Sequence, residues 1–395
     1  MTDYKSESRK NTTRAGSSPA TVSIECIKLY ITRNLMEMQK YDYLIVGAGL
    51  YGAMFAYRAI KAGKKCIVID KNPHIGGFCY SENKYGIEVH KYGAHIFRTN
   101  SKKTWDFVNS ICEFVPFVNA PIARYRGNVY NLPFNMNTFN QVFRVTTPEE
   151  AYEAIEKDKV AFPNPKNLEE YCLSTVGRKI YGMFIKDYTE KQWGKKCAEL
   201  PVSIIKRIPI RYTFDNNYFN EKYQGIPECG YTEFIRRLLE GCDVALSIDY
   251  FDDIRFNNNI AERICYTGPI DRFFRYKFGM LDFRSVRFDE EYIPYKDNVQ
   301  GNAVINIMDP GMPYTRIIEH KHFLKTQCNG TIISYETPCD YSENYPPSYP
   351  IHTEENIQKY AKYKILADKE TNVIFGGRLA EYKYYNMNDI IEKFI

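Results

Sequence analysis

The sequence predicts an α/β fold in which a Rossmann-like dinucleotide-binding domain is interrupted by a helical domain and an antiparallel β-sheet domain. Three features support this prediction. Residues 41–52, YDYLIVGAGLYG, place an apolar strand directly before a G-x-G-x-x-G turn. Residues 148–200 are mostly helical in pattern, and strands dominate from about 271 to 336. The segment NVIFGG then adds a strand near the C-terminus, so we expect the dinucleotide-binding domain to be discontinuous.

The first βαβ unit is predicted from local spacing. Gly47 allows a tight turn, Gly49 lets the backbone approach a pyrophosphate, and Gly52 lets the following helix pack closely on the strand. The next strand, KCIVID, ends on Asp70, whose carboxylate can accept a hydrogen bond from an adenosine ribose hydroxyl. The adjoining Leu50 and Lys71 belong to the same predicted site. The glycine motif alone is a weak signal, but strand, helix and acid together favour NAD or FAD.

A second glycine pair narrows the choice of cofactor. Gly76 and Gly77 follow the second strand in the segment HIGG. A glycine pair at this place resembles the FAD-binding proteins of the glutathione-reductase type. We therefore predict FAD.

The hairpin and the helices follow from periodicity and turn residues. The segment 121–135 alternates and turns at Gly127, which predicts a hairpin. Residues 178–194, RKIYGMFIKDYTEKQWG, predict a helix with Ile180, Met183, Phe184 and Tyr188 on one face. The predicted boundaries are 41–100, 230–270 and 352–395 for the FAD-binding domain, 101–117 and 138–200 for the helical domain, and 118–137, 201–229 and 271–351 for the β-sheet substrate domain.

Composition excludes several classes of function. A formal charge of +5 over 395 residues does not suggest nucleic-acid binding. The longest uncharged run, Tyr43–Tyr57, is shorter than the ~20 residues of a membrane span. The 11 Cys are scattered, which favours reduced thiols in a cytoplasm, and the 6 His show no metal-binding cluster. Residues 1–40 are polar and predict a disordered extension.

Arginine and aromatic residues recur together outside the glycine motif. The segments are YTEKQWG, KRIPIRYTFDNNYF, PYTRIIEHKHF and RLAEYKYYNM. For any single residue, core packing or a solvated surface is the simpler interpretation. Together they predict a second anion site that faces the cofactor, because guanidinium groups suit a diphosphate and aromatic rings hold a base or sugar.

Longer motifs carry a specific resemblance. HKYGAHIF, NLPFNMNTF, IKRIPIRYTFDNNYF, YQGIP, GNAVIN, PYTRIIEHKHF and FGGRLAEYKYY resemble the UDP-galactopyranose mutase family of flavoenzymes, from about Tyr41 almost to the C-terminus. The resemblance implies a homodimeric, cytoplasmic isomerase that interconverts UDP-galactopyranose and UDP-galactofuranose for cell-surface glycans. It also implies that N5 of reduced FAD attacks the galactose anomeric carbon while UDP leaves.

The resemblance also implies site residues. Arg207 and Arg316 would bind the diphosphate, His95 would lie near the flavin or the sugar, and Arg378 would lie beside the flavin. The remaining implied substrate-binding residues are Asn119, Phe184, Tyr188, Gln192, Trp193, Tyr218, Tyr349, Tyr384 and Asn386. Asn386 departs from the family, which usually has Asp there.

Two other functions share parts of this pattern. A flavin oxidoreductase of the amine-oxidase type has the same N-terminal motif, but it oxidises its substrate and releases peroxide. A non-enzymatic binding protein on the same scaffold would hold no flavin.

Overall fold

The computed structural model describes residues 41–204, 210–253, 260–342 and 345–395. The predicted extension at 1–40 and the predicted diphosphate-binding residue Arg207 lie outside the described residues.

The strands belong to four sheets. They are β1 (Tyr41–Val46), β2 (Cys66–Asp70), β3 (Ser81–Lys84), β4 (Ile87–His90), β5 (Phe97–Thr99), β6 (Phe114–Pro116), β7 (Ile122–Tyr125), β8 (Asn128–Asn131), β9 (Tyr223–Pro227), β10 (Asp243–Leu246), β11 (Ala261–Tyr266), β12 (Phe283–Pro294), β13 (Val304–Ile307), β14 (Arg316–Glu319), β15 (Gly330–Asp340), β16 (Tyr349–Pro350) and β17 (Val373–Phe375).

The dinucleotide-binding sheet is parallel and has the order β10-β2-β1-β11-β17. Every residue of β2 is buried, as an apolar run without alternation predicts for a strand covered on both faces. Strands from three separate parts of the chain pair in this sheet. The predicted Rossmann-like fold and its C-terminal strand are therefore confirmed.

The second large sheet has the order β16-β12-β15-β14-β13-β7-β8. All its pairs are antiparallel except β7 with β13, so the prediction of a mostly antiparallel sheet is confirmed. The hairpin β7–β8 turns at Arg126 and Gly127, which have φ of 49° and 78°. Smaller sheets pair β3 with β4 and place β9 between β5 and β6.

The α-helices of the described residues follow in chain order. They are α1 (Leu50–Lys61), α2 (Lys102–Ile111), α3 (Met136–Phe143), α4 (Pro148–Asp158), α5 (Leu168–Thr175), α6 (Gly177–Ile180), α7 (Lys186–Trp193), α8 (Tyr231–Leu238), α9 (Ile270–Phe273), α10 (Lys321–Leu324), α11 (Glu354–Ala367), α12 (Gly377–Ala380) and α13 (Met387–Glu392). Helix α4 begins at Pro148 because Thr147 and Glu150 form a capping box.

Two details of the helical region differ from the prediction. Helix α2 packs on the dinucleotide-binding core through the fully buried Val108, whereas the predicted boundaries assign 101–117 to the helical domain. The helix predicted over 178–194 is also not continuous. A π-helical turn, Tyr181–Ile185, separates α6 from α7. Its predicted apolar face nevertheless packs in the core of the helical region.

The cysteines depart from the expectation of reduced thiols. Cys112 and Cys229 form a disulfide across 117 residues of chain, with Cα atoms 6.6 Å apart. The pairing joins the end of α2 to the turn after β9, a proximity that no local pattern reveals. Within the described residues, no helix combines the length and apolar character needed to cross a membrane. No cluster of three or more potential metal ligands occurs in that same part of the chain.

Candidate active site

The glycine turn between β1 and α1 brings the backbone close together. A Cβ on Gly52 would lie 2.0 Å from the carbonyl oxygen of Gly47. Gly47 has φ of 110°, and a Cβ there would lie 2.0 Å from Oγ1 of Thr267. Gly49 caps α1 without a side-chain hydrogen bond, so the first N–H groups of the helix lack a side-chain acceptor. This helix N-terminus is suited to bind a phosphate.

Asp70 holds the same turn in place. Its Oδ2 accepts a hydrogen bond from the N–H of Ala48 at 2.8 Å, and its Oδ1 accepts two from Asn72 at 2.8 and 2.9 Å. Asp70 is buried yet lines the cavity described below. It therefore shapes the glycine turn, and its contact with a ribose stays a prediction.

The second glycine pair packs directly on the first turn. Gly76 donates a backbone hydrogen bond to the carbonyl of Ala48 at 2.9 Å and pairs with Gly49. A Cβ on Gly77, which has φ of 53°, would lie 2.9 Å from the Cα of Gly49. Side chains at Gly76 and Gly77 would clash with neighbouring backbone, so the glycines let the two turns pack together and form a cradle at the helix N-terminus.

One cavity of about 520 Å³ connects this cradle to the arginine and tyrosine cluster. The predicted site residues that line it are Gly47, Gly49, Leu50, Gly52, Asp70, Lys71, Gly76, Gly77, His95, Asn119, Tyr188, Tyr218, Arg316, Tyr349, Arg378, Tyr384 and Asn386. They come from both large sheets and from the helical region. The predicted second anion site thus opens onto the cofactor cradle.

Arg316 provides a partly buried positive charge in the cavity. Its Nη2 lies 3.0 Å from Oε1 of Glu336, its direct cross-strand neighbour on β15. Burial lowers the pKa of Arg316, but the Glu336 carboxylate and the hydroxyls of the neighbouring tyrosines together raise it well above the usual value. The Nε of Arg316 is buried and has no hydrogen-bond partner within the described residues. A ligand with acceptor oxygens would complete its coordination.

Arg378 provides a second positive charge. Its Nη1 donates to the carbonyl of Ser348 at 2.9 Å, and its Nη2 donates to that of Tyr385 at 3.3 Å. Its guanidinium lies 4.7 Å from the ring centroid of Tyr384 and 5.3 Å from that of Phe78. Carbonyl and aromatic contacts fix the group while leaving its charge in the cavity.

The cavity tyrosines are neutral hydrogen-bond donors. Burial raises the pKa of Tyr188 to about 12, and it also raises the pKa of Tyr218 and Tyr349. The rings of Tyr349 and Tyr384 stack with centroids 6.0 Å apart. At neutral pH these phenols can donate to phosphate or sugar oxygens.

Asn386 is held between a cation and an anion. Its Oδ1 accepts from Nη2 of Arg98 at 3.2 Å, and its Nδ2 donates to Oδ2 of Asp389 at 3.0 Å. Arg98 also pairs with Glu221 at 2.9 Å. A carboxylate, that of Asp389, therefore lies next to position 386 in this chain.

Some predicted residues lie elsewhere. Phe184 is buried in the core of the helical region, and it is not among the residues that line the cavity. Gln192 and Trp193 are also absent from the lining, although the ring of Trp193 lies 6.4 Å from that of Tyr349. The apolar face predicted for Phe184 is thus observed, and its contact with the substrate stays a prediction.

The sequence reasoning missed Glu336 and Arg98. Both line the cavity, and both lie in largely apolar strand-like segments. An ionisable residue within an apolar strand is the signal that could have found them, because a buried charge requires a partner.

Fold and site together define a dinucleotide-binding protein of the Rossmann type with an adjoining cationic cavity. A family model for the NAD(P)-binding Rossmann-like domain matches residues 45–111, and one for UDP-galactopyranose mutase matches residues 183–384. The chain is 37% identical over 361 residues to a probable UDP-galactopyranose mutase of Klebsiella pneumoniae, covering 89% of this chain and 92% of the relative. This chain belongs to the UDP-galactopyranose mutase family.

Two further comparisons bear on fold and substrate. The chain is 36% identical to a dTDP-fucopyranose mutase of Escherichia coli, covering 89% of this chain and 96% of the relative. A crystal structure of reduced UDP-galactopyranose mutase matches with a TM-score of 0.67 at 14% identity, covering 90% of this chain and 92% of that one. The latter supports the fold.

Proposed function

We propose that this protein is an isomerase that interconverts UDP-galactopyranose and UDP-galactofuranose with reduced FAD as cofactor. The observation that carries the proposal is the single cavity joining a phosphate-binding helix N-terminus to Arg316, Arg378 and the tyrosine cluster. Such a cavity can hold a dinucleotide and a sugar diphosphate in contact with each other. Membership of the mutase family supplies the reaction class.

The residues fit FAD. The cradle of Gly49, Gly76 and Gly77 lines the cavity where α1 begins, and glycines place no side chain between the cavity and the helix N-terminus. Reduced FAD supplies a nucleophilic ring nitrogen and is regenerated, so the net reaction transfers no electrons. His95 and Arg378 would border its ring system, and Lys71 and Asp70 its adenosine.

The chain's own residues act on the leaving group. The guanidinium of Arg316, kept charged by Glu336, would bind the diphosphate and stabilise the negative charge that develops as UDP leaves. The phenols of Tyr188 and Tyr349 would donate further hydrogen bonds. Because these groups are already fixed by protein contacts, little reorganisation accompanies the reaction.

The similarity to a dTDP-fucopyranose mutase supports a second candidate substrate, dTDP-fucopyranose. Both candidates are a six-carbon sugar on a pyrimidine nucleoside diphosphate. The description of the matched family model favours UDP-galactopyranose.

The test compares substrates under reducing conditions. Dithionite-reduced protein should convert UDP-galactofuranose to UDP-galactopyranose, followed by chromatography, whereas oxidised protein should not. A higher kcat/KM for dTDP-fucopyranose would overturn the substrate but keep the reaction class. Substrate oxidation with peroxide release would instead identify an oxidase of the amine-oxidase type.

The cellular setting is part of the proposal. We place the reaction in the cytoplasm, where its product would supply galactofuranose for cell-surface glycans. We also propose a homodimer, which sedimentation of purified protein would test.

A further inference from the structure

One turn of the cavity wall is held by histidines outside the predicted site. The residues between β4 and β5 include Tyr92, Gly93, Ala94 and His95, all of which line the cavity. Gly93 has φ of 100°, so the turn requires a left-handed conformation at its centre. The position of this turn determines where His95 lies in the cavity.

Buried side chains fix the turn from behind. The backbone N–H of His95 donates to Nδ1 of His90 at 3.2 Å, and the N–H of His90 donates to Nδ1 of His320 at 3.2 Å. The other ring nitrogen of His320 lies 2.7 Å from Oγ of Ser334. Tyr231 donates its hydroxyl to the carbonyl of His95 at 3.0 Å.

These hydrogen bonds determine the tautomers. A ring nitrogen that accepts a backbone N–H carries no proton, so His90 and His320 carry theirs on Nε2. His95 is the opposite case, since its Nδ1 lies 2.7 Å from the carbonyl of Gly93 and must be the donor. Its Nε2 therefore carries a lone pair, on a side chain that lines the cavity.

All three rings stay neutral. Burial lowers the pKa of His95 to about 4 and that of His320 to about 3, and it lowers the pKa of His90 well below its usual value. His90 is 1% exposed and stacks on Phe323 with centroids 4.6 Å apart. Protonation thus does not disturb the tautomers at physiological pH.

Packing alone does not account for histidine at position 90. Its Nε2 is buried and has no hydrogen-bond partner within the described residues, an arrangement that costs stability. An apolar ring would stack on Phe323 without this cost. The compensating feature is the Nδ1 acceptor for the N–H of His95.

We propose that His90 is a positioning residue, whose Nδ1 holds the 91–95 turn so that His95 presents an unprotonated Nε2 to the cavity. His95 can then accept a hydrogen bond from a ligand N–H or hydroxyl. The inference about catalysis depends on the proposed mutase function, whereas the tautomers and the turn do not.

Nitrogen NMR of histidine-labelled protein tests the tautomers directly. The chain has only 6 His, so loss of a signal in single variants assigns each ring. We expect the Nδ1–H form for His95 and the Nε2–H form for His90. The opposite form at either ring in the unaltered protein overturns the proposal without any variant.

Variants test the positioning role. His90→Phe removes the acceptor, whereas His90→Asn keeps a side-chain oxygen near the place of Nδ1. We expect His90→Phe to convert His95 to a mixture of tautomers and to lower kcat roughly tenfold, with KM changing less. His90→Asn should restore most of the Nδ1–H form of His95 and most of kcat. His352→Asn serves as the control and should leave the His95 signal unchanged, because the His352 ring contacts the carbonyl and the ring of Tyr382 rather than the 91–95 turn.

The outcomes separate the two claims. Altered tautomers with unaltered turnover would keep the structural role and overturn the catalytic one. An unchanged His95 signal in folded His90→Phe protein would overturn both. If His90→Phe does not fold, His90→Asn and Ser334→Ala answer the question, because Ser334 lies outside the cavity lining and its hydroxyl contacts His320.

Discussion

Replacing Arg316 by alanine should damage stability and catalysis for different reasons. The side chain of Glu336 is 2% exposed, and Arg316 is its ion-pair partner. Alanine at 316 leaves a buried carboxylate without a counter-charge, which typically costs about 3–5 kcal/mol of unfolding free energy. The double variant Arg316→Ala/Glu336→Gln removes that charge, so it should recover most of the lost stability.

The catalytic loss should persist in the double variant. Each charged hydrogen bond to the leaving diphosphate contributes about 1.5–3 kcal/mol, which corresponds to a rate loss of roughly ten- to a hundredfold. Both variants should therefore show this loss in kcat while still holding FAD. Urea unfolding followed by circular dichroism measures the stability, and chromatography of the UDP-sugars measures the rate.

The stability effect should depend on pH. Burial already raises the pKa of Glu336 in the folded protein, and loss of Arg316 removes the factor that opposes this. A carboxyl group whose pKa is higher in the folded than in the unfolded protein destabilises the fold least when it is protonated. The deficit of Arg316→Ala should therefore be smallest below about pH 4.3, the unfolded value, and should grow as pH rises through the folded pKa.

An exposed arginine provides the matched control. Arg287 and Asp289 both lie on β12, the strand next to β15, and form an ion pair in which each side chain is about half exposed. Arg287→Ala should change stability by less than about 0.5 kcal/mol and leave turnover unchanged. Equal stability of the single and double variants at Arg316 would refute the ion-pair argument, and wild-type turnover in the double variant would refute the leaving-group role.

Three further predictions follow from the structure. Gly52→Ala should abolish flavin binding, because its Cβ would lie 2.0 Å from a backbone carbonyl of the glycine turn. The loss would be seen in the visible absorption spectrum. Gly182→Ala is the control and should bind flavin normally, since no atom lies within 4 Å of the added Cβ. Asn386→Asp should lower the free energy of unfolding most at high pH, since it places a second carboxylate beside Asp389, whose Oδ2 lies 3.0 Å from Nδ2 of Asn386. An equal free energy of unfolding at pH 5 and pH 8 would contradict this. Cys112→Ser should lower the melting temperature in the absence of reductant, because the disulfide closes 117 residues and closing a loop of about 100 residues stabilises by up to about 4.7 kcal/mol in the chain-entropy treatment. Dithiothreitol should lower the wild-type melting temperature to the same value. Equal melting temperatures of the two proteins without reductant would show that the thiols stay reduced.

Local features were determined by the sequence alone. The glycine turn, the strand ending on Asp70, the hairpin at Gly127 and the capping box that begins α4 all depend on residues within a few positions of one another. Backbone sterics and short-range hydrogen bonds favour such elements whatever the distant parts of the chain contribute. Most of the site residues predicted from the sequence line the cavity.

Only the tertiary structure decided which distant groups meet. Arg316 and Glu336 face each other because of the register of β14 and β15, and His90 reaches His320 across 230 positions. Cys112 and Cys229 likewise meet only because α2 packs on the dinucleotide-binding core. Phe184 shows the converse, since a residue that its motif assigns to the substrate is buried in a core. The physical reason is common to these cases: burial, ion pairing and tautomer choice depend on neighbours in space, and strand register sets those neighbours independently of their separation along the chain.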